Sequence, residues 1–338
     1  MRRWQVVLLA VLGVAVLAAG VYLFGPWGDP DLSARPHPAT SYAEAAERIM
    51  RVQTADLNPR IADRGHSIAL LHGSQTTTAV VIFHGFTDSP RRVRLLAQAY
   101  YDAGANVWVP RAPFHGYEDR MTSDQSLITA TSLREYADAA IDVGAGLGQH
   151  VVVAGPSGGG TLSLWALAER PEVSAAVAVS PFLHPKSGLP VWQMKPLARY
   201  LAFGPDFYHW WDADLKDSAE RIAKDPNAYP RGSVRAMSSY LSFGRWLTGR
   251  FAPAEPPKGS LTLIVNEHDP AIDAAFNVAF VRRFVPEPRL RIFTIPDAAG
   301  LGHDLFDPEG ETREKIAEAY RYLEEALQME MPEPATGP

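Results

Sequence analysis

One serine stands between glycines where an apolar run meets a helical pattern. Gly155-Pro156-Ser157-Gly158-Gly159 matches G-x-S-x-G, with "HVVVA" before it and "TLSLWALAER" shortly after it. In such a strand-to-helix turn the serine hydroxyl is pushed clear of the sheet, and glycines stand where a side chain would collide with neighbouring backbone. The amide of Gly158 then points at the position of an oxyanion. The spacing predicts a serine nucleophile, with an ordinary tight turn as the alternative.

A base and an acid that could serve this serine follow it in the chain. His303 lies in a glycine-rich loop after the last predicted strand, and Asp269 follows the strand before it. The histidine would take the proton of the serine, and the carboxylate would hold the imidazole in the right tautomer. The order serine, acid, histidine is the one that accompanies a serine on this kind of turn. Glu267 is the alternative acid, and Asp273 is predicted to cap the next helix.

A second oxyanion donor is predicted near the start of the chain's strand pattern. In "VVIFHGFTDSP" the dipeptide His84-Gly85 ends an early strand, so the amide of Phe86 can face the same oxyanion as Gly158. The His84 ring is expected to orient this turn rather than to carry protons. It is also a candidate for contact with a bound substrate.

The elements that must position these residues alternate between short apolar runs and helical patterns from about residue 41 to residue 330. The strands predicted are "SIALLHG", "TAVVIFHG", "NVWVPR", "HVVVAG", "VSAAVAVS", "LTLIVN" and "RLRIFTI". Apolar runs without alternation are typical of strands buried on both faces of a mostly parallel sheet. The sequence predicts an α/β fold with a doubly wound sheet, whose ligands bind at the carboxyl ends of the strands.

A proline-rich and aromatic segment at about 181–257 interrupts this alternation. We predict a largely helical cap over the edge of the sheet that carries the serine, inserted between two late strands. The candidates for contact with a substrate are Trp192, Trp210 and Trp211. Other aromatic residues of the segment, which could line an acyl-chain channel or pack the cap onto the sheet, are Phe203, Phe207, Tyr208, Phe243 and Trp246. The stretch "YHWWD" could also dip into a bilayer surface.

The N-terminus predicts attachment to a membrane. Val6 to Phe24 contains no charged residue and is about long enough to span a hydrocarbon core as a helix. Arg2 and Arg3 would hold its first end in the cytoplasm, and Trp27 would follow as an interfacial anchor. The division expected is an anchor at 1–25, a Pro/Gly-rich linker at 26–40, the domain at 41–330 and a tail at 331–338. The alternative is a signal peptide cleaved near Ala18-Ala19-Gly20, which would give a secreted protein.

Composition excludes several classes of protein. A formal net charge of −6 argues against a nucleic-acid binder, and a chain with no cysteine has neither disulfides nor a thiolate nucleophile. The histidines lie singly, without the spacing of a metal site, and no nucleotide-binding pattern is present. We therefore expect no cofactor, no metal and no nucleic-acid partner, and the sequence does not allow a protein partner to be predicted. Arg91, Arg92 and Arg94 are expected to form a solvated face.

Five segments, in this order, resemble the α/β-hydrolase superfamily and within it the carboxylesterases and monoacylglycerol-lipase-like enzymes. They are "HGFTDSP", "VPRAPFHG", "GPSGGG", "VNEHDPAID" and "GHDLF", and the resemblance runs from about Ser67 to Leu327. The sequence departs from the family at Asp88, where a glycine is common. It also departs at Pro156 and Gly158–Gly160, where relatives often carry a bulkier residue.

The resemblance implies a triad of Ser157, Asp269 and His303, with oxyanion amides at Phe86 and Gly158. It also implies hydrolysis of acyl esters through an acyl-enzyme. We expect a membrane-anchored serine hydrolase with its domain on the extracytoplasmic side of the plasma or inner membrane. A lysophospholipid or a monoacylglycerol is the candidate substrate. The alternatives are a thioesterase, amidase or peptidase with the same triad, or a non-catalytic binding domain on this fold.

Overall fold

A seven-stranded sheet forms the centre of the protein. The computed structural model describes residues 2–25, 29–250, 256–306, 312–329 and 331. The strands are β1 (Ile68–Leu70), β2 (Thr76–Ile82), β3 (Asn106–Val109), β4 (Gly148–Pro156), β5 (Val173–Val179), β6 (Tyr208–Trp210), β7 (Arg231–Ser233), β8 (Ser260–Asn266) and β9 (Leu290–Ile295). The sheet has the order β1-β3-β2-β4-β5-β8-β9, and within it β1 alone runs antiparallel to its neighbour.

The described part of the chain forms the helices α1 (Arg3–Phe24), α2 (Tyr42–Asp56), α3 (Arg94–Asp102), α4 (Ala130–Leu147), α5 (Ser157–Glu169), α6 (Met194–Phe203), α7 (Ala219–Lys224), α8 (Val234–Arg250), α9 (Ala274–Phe284) and α10 (Arg313–Leu327). Those that bury residues against the sheet cover both of its faces. Along β2, Val81 belongs to the core under α4 and α5, and Val80 belongs to the core under α3 and α10. A strand buried on both sides needs apolar residues at every position. The predicted doubly wound α/β fold is confirmed.

Two helix starts differ from the prediction, each for a local reason. The pattern after residue 126 predicts one helix, but α4 begins at Ala130, because the Thr129 side chain accepts a hydrogen bond from the Ser132 amide and caps the helix there. The pattern "GGTLSLWALAER" predicts a helix from Gly159, but α5 begins two residues earlier, on Ser157 itself, directly after the extended Pro156. The serine is therefore at once the end of the turn and the first residue of α5.

The segment predicted as a cap contains more than helices. Besides α6, α7 and α8 it holds a short antiparallel ribbon of β6 and β7. Each of these strands has only three residues, too few to give a recognisable strand pattern in the sequence. Helix α8 packs into the main core through Tyr240, Phe243 and Leu247. Phe243 lies against Trp165, with ring centroids 5.9 Å apart. It is therefore a core residue rather than part of an acyl-chain channel.

Residues 29–40 pack closely against the domain, which the expectation of a spacer did not anticipate. The carbonyl of the buried Leu32 accepts a hydrogen bond from the Trp165 indole at 2.7 Å. The amides of Arg35 and His37 donate to Asp138 and Asp142 on α4. The Pro/Gly composition predicted a free chain because a sequence does not show the tertiary partners of backbone amides. Trp27 lies outside the described residues, as does most of the predicted tail.

Helix α1 is long and apolar enough to cross a membrane, by length and composition. Its mean hydropathy is 2.7, and none of its strongly apolar stretch is buried within the protein. Its C-terminal end contacts the cap: the Arg199 guanidinium donates to the carbonyls of Tyr22 at 2.6 Å and Gly25 at 2.9 Å. The Tyr22 and Phe203 rings lie edge to face at 4.9 Å. A signal sequence satisfies the same length and hydropathy test.

Candidate active site

Ser157 occupies a strained backbone position at the carboxyl end of β4. Its φ of 50° lies in the left-handed region, which residues with a side chain rarely adopt. A Cβ at Gly155 would stand 2.4 Å from the Phe83 carbonyl oxygen, and one at Gly159 would stand 2.0 Å from the same atom. A Cβ at Gly160 would lie 2.9 Å from the Gly155 oxygen. The glycines are therefore required for the turn to pass this close to β2.

Asp269 and His303 meet at the same edge of the sheet. Asp269 Oδ2 lies 2.7 Å from His303 Nδ1, and its carboxylate is 1% exposed. Its other oxygen accepts hydrogen bonds from the amides of Ala271 and Ile272 at 2.8 and 3.0 Å. This carboxylate is thus held in one orientation, and it fixes which nitrogen of the imidazole carries the proton.

The two other carboxylates that the sequence offered face different partners. Glu267 accepts a hydrogen bond from the Asp297 amide at 3.3 Å. Asp273 caps α9 by accepting from the Phe276 amide at 2.9 Å. Of the three acidic residues after β8, Asp269 is the one that the structure brings to His303.

Asn266 positions the histidine loop, a function that the sequence analysis did not assign. It is the last residue of β8, is fully buried, and donates through Nδ2 to the carbonyls of Leu301 and Gly302, both at 2.8 Å. A buried side chain with two backbone partners ties the loop of His303 to the strand that carries Asp269. The signal in the sequence was a polar residue at the end of an otherwise apolar run.

The interaction between Asp269 and His303 shifts the pKa of both side chains. Burial by itself lowers the pKa of His303, but the hydrogen bond and charge of Asp269 outweigh it, so the pKa of His303 is raised. Burial by itself raises the pKa of Asp269, yet the hydrogen bond to His303 and the two backbone amides bring the pKa of that carboxyl below its usual range. The lowered pKa of Asp269 thus keeps its carboxylate ionised, and that carboxylate stabilises the imidazolium form of His303 when it takes up a proton.

The predicted oxyanion amides lie side by side. The Phe86 nitrogen is 3.4 Å from the position that a Cβ on Gly158 would occupy. Among the described residues, neither amide donates a hydrogen bond. Gly158 stands in the first turn of α5, where the helix dipole favours negative charge. Likewise, Ser157 Oγ and His303 Nε2 have no hydrogen-bond partner in the described part of the chain.

Two buried histidines connect the turn that carries the Phe86 amide with the neighbouring "PFHG" turn at residues 113–116. We call the first of these, residues 84–88, the oxyanion turn. His84 donates through Nδ1 to its neighbouring Gly85 carbonyl and accepts through Nε2 from the Ala112 amide, each at 3.0 Å. His115 donates to the Pro113 carbonyl at 2.8 Å and accepts from the Thr87 amide at 3.2 Å. Each ring thus holds an amide of the opposite turn.

These two rings are neutral. Burial lowers the pKa of His84 to about 3, with a smaller effect from the neighbouring His115. Burial likewise lowers the pKa of His115 to about 4. A neutral imidazole supplies one donor and one acceptor, which is what each ring uses here. His84 therefore has the orienting arrangement expected of it rather than a proton-transferring one, and His115, for which no role was predicted from the sequence, has the same arrangement.

We expect His115→Leu to lower kcat/KM for ester hydrolysis by about 10- to 100-fold, because the Thr87 amide of the oxyanion turn loses its acceptor. The exposed His150 on β4 provides the control, and His150→Leu should change kcat/KM less than twofold. Steady-state kinetics on both folded variants decides the matter. Equal effects of the two substitutions would contradict the bracing function.

The four residues named as substrate contacts lie in different surroundings. Trp211 packs against Phe86, with ring centroids 6.0 Å apart, so it contacts the oxyanion turn. The Trp210 ring faces the Arg231 guanidinium at 5.7 Å. Trp192 lies in a short turn before α6 and is 65% exposed. His84 uses both ring nitrogens for backbone partners, which leaves neither for a substrate. Of the three tryptophans, Trp211 is the one whose described ring contacts include Phe86.

Tyr240 adds an aromatic contact that the sequence analysis did not identify. It lies on α8 with its ring 5.2 Å from the Phe86 ring, and it would meet a Cβ at Gly158 at 2.5 Å. A bulkier residue after the nucleophile would therefore displace this ring. The departure from the family pattern at Gly158 is explained by the tyrosine that packs there.

The expectation of a solvated arginine face is wrong for Arg92. Its side chain is 10% exposed and forms ion pairs with Asp88, Asp225 and Asp304. A charge run predicts a solvated face only when no acidic partners converge on it, and two of these three, Asp225 and Asp304, come from distant parts of the chain.

A strained serine after a central strand, with an aspartate–histidine pair at the same sheet edge, defines a hydrolase of the α/β class. The family model for the α/β hydrolase fold matches residues 78–249, about half of the chain. The chain belongs to this family, and the resemblance drawn from its motifs is confirmed.

A relative with a known activity matches part of this sequence. The thermostable monoacylglycerol lipase of Bacillus sp. (strain H-257) is 34% identical over 107 residues. The match covers 30% of this chain and 39% of that protein, so it spans well under two thirds of the relative's length.

Solved structures share the fold at lower identity. A metagenome-derived lipolytic enzyme is 20% identical with a TM-score of 0.55, covering 79% of this chain and 99% of its own. A soluble variant of the monoglyceride lipase of Saccharomyces cerevisiae is 16% identical with a TM-score of 0.55, covering 78% and 90%. The monoacylglycerol lipase of Paleococcus ferrophilus is 21% identical with a TM-score of 0.54, covering 78% and 98%. At these identities the similarity concerns the fold.

Proposed function

We propose that this protein hydrolyses carboxylic esters through an acyl-enzyme on Ser157, with His303 as general base and Asp269 as the residue that orients it. The observation that carries the proposal is the 2.7 Å contact of Asp269 with His303 Nδ1. That contact leaves His303 Nε2 as the nitrogen able to take a proton. The strained turn of Ser157 follows β4, and the loops of Asp269 and His303 follow β8 and β9 of the same sheet, so the three residues lie at one edge, where the serine and its base can meet.

The proposed reaction uses side chains and amides of this chain. As Ser157 Oγ attacks the carbonyl carbon, His303 Nε2 takes its proton and Asp269 stabilises the imidazolium. The amides of Phe86 and Gly158 donate to the oxyanion. The imidazolium then gives its proton to the leaving alcohol, which departs and leaves the acyl group on Ser157. Water, deprotonated by His303, releases the acid and restores the serine.

The proposed substrate is a lipid-like ester, such as a monoacylglycerol or a lysophospholipid. Its support is the match to a bacterial monoacylglycerol lipase over 107 residues. A second support is the group of aromatic side chains around the oxyanion turn, where Phe86 contacts Trp211 and Tyr240. Such rings contact an acyl chain favourably because both are apolar.

Labelling and substrate preference test this proposal together. A fluorophosphonate probe should label the wild-type protein, and p-nitrophenyl esters from acetate to palmitate should be hydrolysed with a preference for the longer acyl chains. Matched thioester and amide substrates distinguish an esterase from a thioesterase or an amidase. A wild-type protein that neither reacts with the probe nor turns over any of these substrates is not a serine hydrolase.

We infer that α1 is an uncleaved membrane anchor with the domain on the extracytoplasmic side. Arg2 and Arg3 precede the apolar helix, as expected for a cytoplasmic N-terminus. The opposite end of α1 is clamped by Arg199, and Phe203, 77% exposed, packs on Tyr22. Because Tyr22 lies within the last turn of the helix, Phe203 lies at the depth of the membrane interface. The cap therefore faces the bilayer.

Fractionation of cells that make the full chain checks this inference. We expect the protein in the membrane pellet after alkaline extraction, with an intact N-terminus and with its domain digested by protease added to spheroplasts. An inner-membrane protein with a cytoplasmic domain serves as the control for spheroplast integrity. Recovery of a soluble protein that begins after Ala18-Ala19-Gly20 would instead establish a cleaved signal peptide.

A further inference from the structure

The guanidinium of Arg92 joins three parts of the protein that surround the proposed site. It lies 2.5 Å from Asp88 Oδ1, 2.7 Å from Asp225 Oδ2 and 2.6 Å from Asp304 Oδ2. A planar guanidinium with five donors can bind several carboxylates in fixed directions, which a lysine ammonium cannot reproduce. Arg92 is 10% exposed, whereas Asp225 and Asp304 are 38% and 31% exposed, so the guanidinium is the buried partner of these pairs.

Two of the carboxylates lie on the segments that carry Phe86 and His303, which the proposed reaction uses. Asp88 follows Phe86 by two residues, and its Oδ2 lies 2.2 Å from the position that a Cβ on Gly85 would occupy. The carboxylate therefore lies on the oxyanion turn itself. Asp304 is the residue after His303, and its Oδ1 accepts a hydrogen bond from the Phe306 amide at 3.2 Å. Arg92 thus contacts both the oxyanion turn and the loop of the base.

The third carboxylate belongs to the cap. Asp225 follows α7, and the chain around it is held by Arg120, which donates to the Ile222 carbonyl at 2.7 Å and the Ala228 carbonyl at 3.1 Å. Four residues later the Tyr229 amide donates to the Thr87 carbonyl on the oxyanion turn at 2.8 Å. The cap segment that carries Asp225 is therefore docked on the turn that carries Asp88.

We propose that Arg92 is a positioning residue that couples the position of the cap, through Asp225, to the oxyanion turn and to the loop of His303. This inference rests on the proposed function, since it assigns Arg92 to the same reaction. When the cap is seated, one guanidinium holds Asp88 and Asp304 at fixed separation. When the cap moves away, Asp225 leaves the cluster, and Arg92 loses one of the three carboxylates that fix its orientation.

The cluster also acts on the titration of the base. The charged groups that act on the pKa of His303 are Asp269, Asp304 and Asp88. Those that act on Asp304 are Arg92, Asp88 and Asp225. Burial lowers the pKa of His303, whereas Asp269 first, and then the charges of Asp304 and Asp88, raise it. Ester hydrolysis needs neutral His303, so the acid limb of kcat/KM follows this pKa. Removing the charge of Asp304 should therefore move the acid limb to lower pH.

A double-mutant cycle on the full-length protein tests the coupling. Asp225→Asn removes the cap carboxylate and should lower kcat/KM for p-nitrophenyl butyrate about tenfold, mainly through KM. Asp304→Asn should lower kcat and move the acid limb down by about half a pH unit to one unit. If Arg92 couples the two, the loss in the double variant differs from the product of the single losses by about fivefold or more.

Asp214→Asn is the matched control in the same cap. Asp214 pairs with Arg221 on the exposed surface, and such pairs contribute little. Asp214→Asn should change kcat/KM less than twofold. When it is combined with Asp304→Asn, the loss in kcat/KM should equal the product of the two single losses. Arg92→Lys keeps the positive charge but loses the planar set of guanidinium donors. This variant tests the coupling if a carboxylate variant fails to fold. It should reduce kcat/KM at least tenfold, with an acid limb displaced from that of wild type.

The outcomes separate this proposal from the proposed function. Multiplicative losses in an active protein, or an Arg92→Lys variant with wild-type kinetics and pH profile, would overturn the coupling and leave the esterase assignment intact. A wild-type protein without hydrolase activity would overturn both.

Discussion

Ser157→Ala is expected to abolish ester turnover, with kcat lowered about 10⁶-fold. The alanine removes the oxygen that forms the acyl-enzyme, and the remaining groups can only stabilise a direct attack by water. Binding of the ester should change little, so KM should stay within a few-fold of wild type. Steady-state kinetics with p-nitrophenyl butyrate, together with intact mass after fluorophosphonate treatment, measures both effects.

Ser163→Ala provides the control for this substitution. Ser163 lies on the same helix, is buried, and donates its hydroxyl to the Gly159 carbonyl at 2.9 Å. Loss of that internal hydrogen bond should lower stability by about 1 kcal/mol and leave the phosphonate adduct on the protein. A Ser157→Ala variant that retains turnover or still forms the adduct would assign the nucleophile elsewhere.

Asp269→Asn is expected to lower kcat about 10⁴-fold. The asparagine amide can donate to His303 Nδ1, which would place the imidazole proton on Nε2, the atom that must accept from Ser157. The substitution also removes the charge that raises the pKa of His303, so the acid limb of the residual activity should lie at lower pH than in wild type. A kcat/KM profile across the acid limb measures both changes.

Asp273→Asn is the matched control, four residues along the same loop. Its side chain caps α9, and an asparagine oxygen can accept the same hydrogen bond from the Phe276 amide. Activity should stay within about twofold of wild type. If Asp273→Asn, or Glu267→Gln, lost more activity than Asp269→Asn, the acid of the triad would have to be reassigned.

The order of the motifs predicted the fold, and family membership confirms it. Buried strands read as apolar runs, and helices follow them with their own period, so β2 and β4 with the helices after them were visible without coordinates. The glycines around Ser157 were also interpretable, because a turn this close to the Phe83 carbonyl leaves no space for a Cβ. These constraints act between residues that are close in the chain, so adjacent residue types are enough to predict them.

The parts that the sequence did not predict depend on partners far apart in the chain. Residues 29–40 read as a spacer, because the carboxylates that bind their amides lie about a hundred residues later. Arg92 read as a solvated charge for the same reason: its partner Asp225 is 133 residues away, and Asp304 is farther still. No pattern in the sequence indicated that Tyr240 packs beside Gly158.

By itself, then, the sequence determined the class of fold, the turn that carries Ser157 and the order of the acid and the base, since each follows from neighbouring residue types. Tertiary structure alone decided that Asp269 rather than Glu267 or Asp273 meets His303. It also decided that Arg92 is enclosed by carboxylates. The physical reason is common to both: a hydrogen bond or an ion pair is made at about 3 Å, and only the packing of distant elements brings such atoms together.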